Sequence, residues 1–308
     1  MQLIIEENCS VPSKDELDYV TPTLKKYIDS IVDTFHIDTL DYFVIADSDQ
    51  SNFTATVKKY AALIGTDTNI TDNEGYQTVA KSIDGVDCEG IYHQVIIIKG
   101  MLWTSMLYDL LRLTCELPQE LVEQTDSIKY LSLTAIVHEL GHAVDNLYQF
   151  RREGYCDEQI AFNLSVPDEY EKYVYRSTLS LWGEYFAESF CYEIIKQELP
   201  CSSDELTVEC IKTYSRGGLR NQIVERVHMI LYYFVHRLGC LHRNGKDFNY
   251  STLENDAESS MYMPYLQEVE ASLIELYATL PEWNNVAYEQ LTSIYHKLIQ
   301  FERSKYKY

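Results

Sequence analysis

The chain has 308 residues, enough for a large core and one or two domains. It carries 48 acidic against 25 basic residues, a formal net charge of −23, so nucleic acid and anionic membranes are expected to be repelled and neither is expected as a partner. The acid excess serves solubility or, in a functional reading, a preference for basic peptides.

In chain order, residues 1–7 suit a short strand. They lack the basic n-region of a secretory signal. Leu17, Val20, Leu24, Ile28, Ile31, Val32 and Phe35 then recur at helical spacing. Pro22 interrupts this run, so the helix is expected to begin there, with Thr21 as its cap. A strand over 40–46 and a helix over 53–64, stopped by Gly65, follow. After a polar loop at 66–75 come a strand at 76–83, a turn at Asp84-Gly85 and a strand at 91–98. The run Val95-Ile96-Ile97-Ile98 implies burial on both faces.

Residues 101–113 read as an apolar helix backing the site, 117–127 as a loop or short helix, and 128–148 as the next helix. Residues 149–168 are loop-like, and Asp168 can cap a short helix at 169–175. A helix at 179–198 precedes four more, at 203–214, 219–238, 258–279 and 283–303, separated by Gly217-Gly218 and a polar connection at 242–251. No segment is apolar over a bilayer-spanning length. The eight cysteines are scattered without a CxxC pair and read as reduced thiols. A cytoplasmic location is expected, with leaderless secretion open.

The helix at 128–148 holds His138-Glu139-Leu140-Gly141-His142, an HExxH motif. At about 100° per residue the two histidines share a face, one turn apart, and can grip one metal ion. Glu139 lies beside the first ligand, within reach of a metal-bound water. Leu133, Ala135, Ile136 and Val137 are apolar, as in a helix packed on a core. Asp145 continues the metal face by a turn. It suits a supporting acceptor, an alternative oxygen ligand, or a carboxylate on a solvated turn.

The helix at 179–198 carries Glu184 and Glu188 at i and i+4, with Tyr185, Phe186, Phe190 and Ile194 on its other face. Two carboxylates on the inner face of an apolar helix are costly to bury unless paired or metal-bound. The plain alternative is two surface glutamates. Catalytic zinc sites combine three protein ligands with one water. Two histidines therefore need a partner, and Glu184 is the expected third ligand. Glu188 is the expected carboxylate that orients a ligand histidine through its second ring N–H. Two imidazoles and a carboxylate point to Zn2+, one ion per chain.

HELGHAVD followed by GEYFAESF resembles the gluzincin metallopeptidases, and EYFAESF is similar to the glutamate helix of the anthrax lethal-factor-type peptidases. The resemblance covers residues 131–195. It implies that His138, His142 and Glu184 bind zinc and that Glu139 is the general base. The metzincin pattern does not fit, because Asp145 and Tyr148 stand where it needs Gly and His.

The implied fold is α+β and zincin-like: a small N-terminal mixed sheet with helices, an HExxH active-site helix, and a mainly helical C-terminal half. Residues 1–127, 128–200 and 201–308 would be the α/β part, the zinc-binding core and the helical part of one catalytic unit. In the zincin plan an edge strand beside the cleft holds substrate by strand addition, and 91–98 or 76–83 are the candidates. Either is as readily a strand that builds the core.

The implied activity is zinc-dependent hydrolysis of peptide bonds in a peptide or protein substrate. The alternative is a zincin-fold protein without peptidase activity, acting as a binding or regulatory module. A structural metal would call for a closed, cysteine-rich site, which no spacing here supplies. Tyr173, Tyr175, His228 and His236 are candidate oxyanion donors. With 26 tyrosines in the chain, any one tyrosine is more often packing. His228 and His236 stand among Val227, Ile230, Leu231, Phe234 and Val235, a setting typical of core histidines. Oligomeric state is open.

Overall fold

A computed structural model describes residues 1–7, 9, 14–66, 78–114, 118–151, 168–195, 204–216 and 222–305. They form two compact units, Met1–Leu147 and Tyr148–Tyr308. The fold class is α+β, with one small mixed sheet and a predominance of helix.

The first unit is built on a four-stranded sheet of β1 (Gln2–Ile5), β2 (Leu40–Ala46), β3 (Ala80–Val86) and β4 (Tyr92–Lys99). The strand order is β1-β2-β4-β3. β1, β2 and β4 run parallel, while β3 pairs antiparallel with β4 from Ala80↔Ile98 to Val86↔Tyr92. The β-branched run Val95 to Ile98 is fully buried, as its composition requires. On this sheet Phe53, Val57, Tyr60 and Ala61 of α2 (Gln50–Leu63) pack against Val44, Val95 and Ile97. Asp49 starts α2 by accepting from the backbone N–H groups of Ser51 and Asn52 at 3.0 and 3.2 Å.

Three expectations change here. First, α1 runs unbroken over Lys14–Phe35, with Pro22 inside it. Pro22 is exposed, whereas Val20, Leu24, Ile28 and Ile31 are buried on both sides of it. That continuous stripe outweighs the roughly 3 kcal/mol a mid-helix proline costs. Second, the strand expected at 76–83 is displaced: residues 67–77 lie outside the described residues, and β3 continues through Asp84-Gly85. The turn falls instead at 87–91, where Asp87 Oδ1 accepts from the N–H groups of Glu89 and Ile91 and Gly90 takes a φ of 82°. Third, β4 lies between β2 and β3, so 91–98 cannot be an edge. Among the described residues the edge beside β4 is β3.

The helices α3 (Trp103–Thr114), α4 (Gln119–Gln124) and α5 (Leu131–Arg151) follow. The boundary between the two units falls inside α5, after the HExxH motif.

The second unit is helical among its described residues: α6 (Glu169–Ile195), α7 (Asp204–Arg216), α8 (Ile223–Arg243), α9 (Met263–Ala278) and α10 (Asn285–Ser304), with a single turn at Ser251–Glu254. Asp168 does cap α6, accepting from the Tyr170 N–H at 2.9 Å. However, α6 is one helix where two were expected, because Val174, Ser177, Thr178, Leu181 and Trp182 form a continuous buried side across the anticipated gap. α8 extends to Arg243, which puts His242 on a helix rather than in a loop. α8 packs along α6, and α10 along α9. Trp182 lies among Tyr185, Phe186, Tyr277 and Trp283, with ring centroids 5.8–6.4 Å away. Among the described residues no helix is long and apolar enough to cross a membrane.

Candidate metal centre

The HExxH helix α5 is anchored from outside itself. Asp109 of α3 is fully buried. Its carboxylate accepts from the backbone N–H groups of Tyr130, Ser132 and Leu133 at 2.7, 3.2 and 3.4 Å, and from the Ser132 hydroxyl at 2.8 Å. A negative charge placed on the first N–H groups of a helix satisfies orphan donors and meets the positive end of the helix dipole. Arg112 reaches the same carboxylate at 3.3 Å and donates to Thr125 O at 3.0 Å. Tyr130, the residue before α5, takes a left-handed φ of 58° that turns the chain into the helix.

One to three turns further on come the motif residues. His138 and His142 are half-buried, with Nε2 atoms 3.1 Å apart and ring centroids 4.7 Å apart at 83°. Two imidazoles bound to one tetrahedral zinc, at roughly 2.0–2.1 Å each, require a separation of about 3.3 Å between their nitrogens. The pair therefore fits a shared ion without rearrangement of the helix. Glu139 is buried beside them, and so is Asp145, which removes the solvated-turn reading for that residue. Further along α5, Asn146 Nδ2 approaches Asp84 Oδ1 of β3 at 3.4 Å, so the sheet edge runs close to the helix that bears the motif.

In the second unit, Glu184 and Glu188 project from α6 with side chains only 17% and 13% exposed, so they are not surface glutamates. Ala187 between them is fully buried. His236 of α8 meets both carboxylates: Nε2 is 2.8 Å from Glu184 Oε2, and Nδ1 is 3.0 Å from Glu188 Oε1. The Cys240 thiol donates to the other Glu188 oxygen at 3.1 Å. Burial of the ring opposes its charge, but Glu184 and then Glu188 prevail, and the imidazole is pushed up to about 9.

The close approach of α8 at this level depends on Gly239. A Cβ there would come within 2.6 Å of Glu188 Cβ and 2.8 Å of Tyr185 O. Glycine inside a helix costs about 1 kcal/mol against alanine, and here close packing explains its presence.

The remaining candidates take other positions in the second unit. The His228 ring lies among those of Tyr173, Tyr232 and Tyr295, with centroids 6.2–6.5 Å away. Burial holds its pKa below the usual range, with Glu184 pulling weakly the other way. Tyr175 stacks edge-on against Tyr288 and accepts that tyrosine's hydroxyl through its own backbone carbonyl at 3.1 Å. Tyr173 is the exposed one of the four.

Asp109, Gly239 and Cys240 did not emerge from the sequence as parts of this arrangement. Two carried a readable signal: a lone acid in the apolar helix at 101–113, and a glycine within helical spacing at 219–243. Cys240 carried none.

No known family, curated protein or solved structure matches this chain.

Proposed function

We propose that the chain is a zinc-dependent peptidase. The carrying observation is the His138–His142 pair, whose 3.1 Å nitrogen separation suits one shared ion beside a buried Glu139. The donor set the sequence offers is two imidazoles and one carboxylate: His138, His142 and Glu184. Three ligands of these types leave a position for water, the composition of a catalytic zinc site rather than a structural one. The chemistry supplied by bound zinc is Lewis acidity, which brings the pKa of water from about 15.7 towards 7 and polarises a carbonyl.

Glu139 takes the proton of the attacking water and delivers it to the departing amine, so a single carboxylate serves first as base and then as acid. Among the described residues β3 is the edge strand, and its outer side would offer an extended peptide a ladder of backbone groups, in the manner of strand addition. A peptide held there runs close to α5.

Metal analysis and casein hydrolysis, measured on the parent and on Glu139→Gln, test this reading. One zinc per chain is expected in both proteins, with turnover in the variant lower by about 10²–10⁴-fold. Absence of zinc after reconstitution, or equal turnover in the two proteins, would overturn it. A zinc-loaded parent that cleaves nothing would point to a binding module.

A further inference from the structure

We infer that His236 is a positioning residue that fixes the Glu184 carboxylate for metal binding, and not an oxyanion donor. This rests on the zinc reading above. Both ring nitrogens of His236 are committed, Nε2 to Glu184 at 2.8 Å and Nδ1 to Glu188 at 3.0 Å. An oxyanion donor needs an N–H aimed at the reacting carbonyl, and both nitrogens of this ring lie against carboxylate oxygens instead.

Two glutamates one turn apart on a half-buried helix face repel each other and lose solvation. A ring between them, with one nitrogen 2.8 Å from Glu184 and the other 3.0 Å from Glu188, joins them into a single clamp. Glu188 is in turn steadied through its second oxygen by the Cys240 thiol at 3.1 Å. The chain of contacts therefore runs Cys240, Glu188, His236, Glu184, and every link but the last carboxylate serves to hold its neighbour. Gly239 permits the arrangement by letting α8 lie against α6 at Glu188. Partners of this kind, one step behind a metal ligand, typically account for 10–100-fold in metal affinity.

The test is zinc affinity of the full chain, by competition with a chromophoric chelator, in the parent, Glu184→Ala, His236→Ala, His236→Gln and His236→Asn. Gln places its amide nitrogen where Nε2 stood and keeps the donor to Glu184. Asn places it where Nδ1 stood and keeps only the donor to Glu188. His236→Ala should bind zinc about 10–100-fold more weakly while still reaching one ion per chain at saturation. Gln should recover affinity to within about threefold of the parent, and Asn should stay as weak as Ala. The visible spectrum of the cobalt-substituted protein, a readout of ligand geometry, should shift in Ala and Asn and return in Gln.

Parent-like affinity in all three His236 variants, or equal losses in Gln and Asn, overturns the inference. If His236→Ala does not fold, the Gln and Asn pair still decides. Zinc lost in Glu184→Ala but unaltered in the His236 variants sinks this inference and leaves the peptidase reading standing. A parent that binds no zinc removes both.

Discussion

Along β4, residues Val95 to Ile98 are fully buried without a polar side chain among them. Along the facing helices of the second unit, Arg226 and Glu302 are buried, and His236 and the carboxylates of Glu184 and Glu188 are half-buried. The first unit keeps most of its charged pairs at the rim of the sheet, as in Lys59 with Glu6 and in Asp41, His93 and Asp87. The second unit also has exposed pairs such as Lys297 with Glu268, but it buries Glu302 against Arg226 and Lys305 and half-buries Glu270 against His242 and Tyr250. A sheet core gains its stability from apolar area and a complete backbone ladder, and it tolerates substitution within those limits. A helical unit with paired charges in its interior gains a fixed geometry, at the risk that losing one partner strands the other.

The sharpest way to break this contrast is at Glu302. It is fully buried, with Arg226 at 2.9 Å, Lys305 at 2.8 Å and the Tyr262 hydroxyl as a third partner. Glu302→Ala removes the carboxylate shared by Arg226, Lys305 and Tyr262 and should cost about 3–5 kcal/mol. Hydrogen exchange should show lost protection across α8 and α10 while β2 and β4 stay protected. Equal loss in the sheet would erase the distinction between the units.

Asp109, which pairs with Arg112 inside the first unit, comes next in size. Asp109→Ala strips the N-terminal donors of α5 of their acceptor, although Arg112 keeps its bonds to Thr125. A loss of about 3 kcal/mol is expected, with deprotection centred on α3 and α5. Zinc affinity should fall with it, since His138 and His142 ride on that helix. A loss below about 1 kcal/mol would mean that packing alone holds α5.

The smallest effect belongs to the rim. Asp41 first, then Asp87, hold the proton on His93 and raise its pKa above the ordinary 6.5. Stability from the charged ring is therefore whole below pH 6.5 and fades as pH rises through the folded-state value. His93→Gln should lose under about 1 kcal/mol in acid solution, and the gap to the parent should close as the medium is made alkaline. A gap that widens with pH would show the sign to be wrong.

The two units also differed in how far they could be read beforehand. β2, β4, α2 and α3 followed from runs of apolar and β-branched residues, because burial of a local stretch is written in that stretch. HELGH placed His138 and His142 one turn apart on α5 for the same reason. The pairing order of the sheet was not legible, since the choice of β3 over β4 as the edge depends on strands far apart in sequence. Nor were the partners of Glu188, because Cys240 and His236 reach it from another helix through the space left by Gly239. Pro22 and the single long α6 misled for the complementary reason: a continuous buried stripe overrode a local signal that would have ended a helix.

The carboxylate that starts α5 lies 21 residues ahead of Tyr130, the first backbone group it receives. On the ribosome it is therefore made before the helix it will hold. A fragment beginning after Asp109 would carry both motif histidines but not this cap, and most of a helix's stability in a protein comes from the packing it would lack. Assembly of the histidine pair thus becomes a late consequence of α3 docking. A nascent or nicked chain would display the motif without the rigid spacing that suits it to an ion.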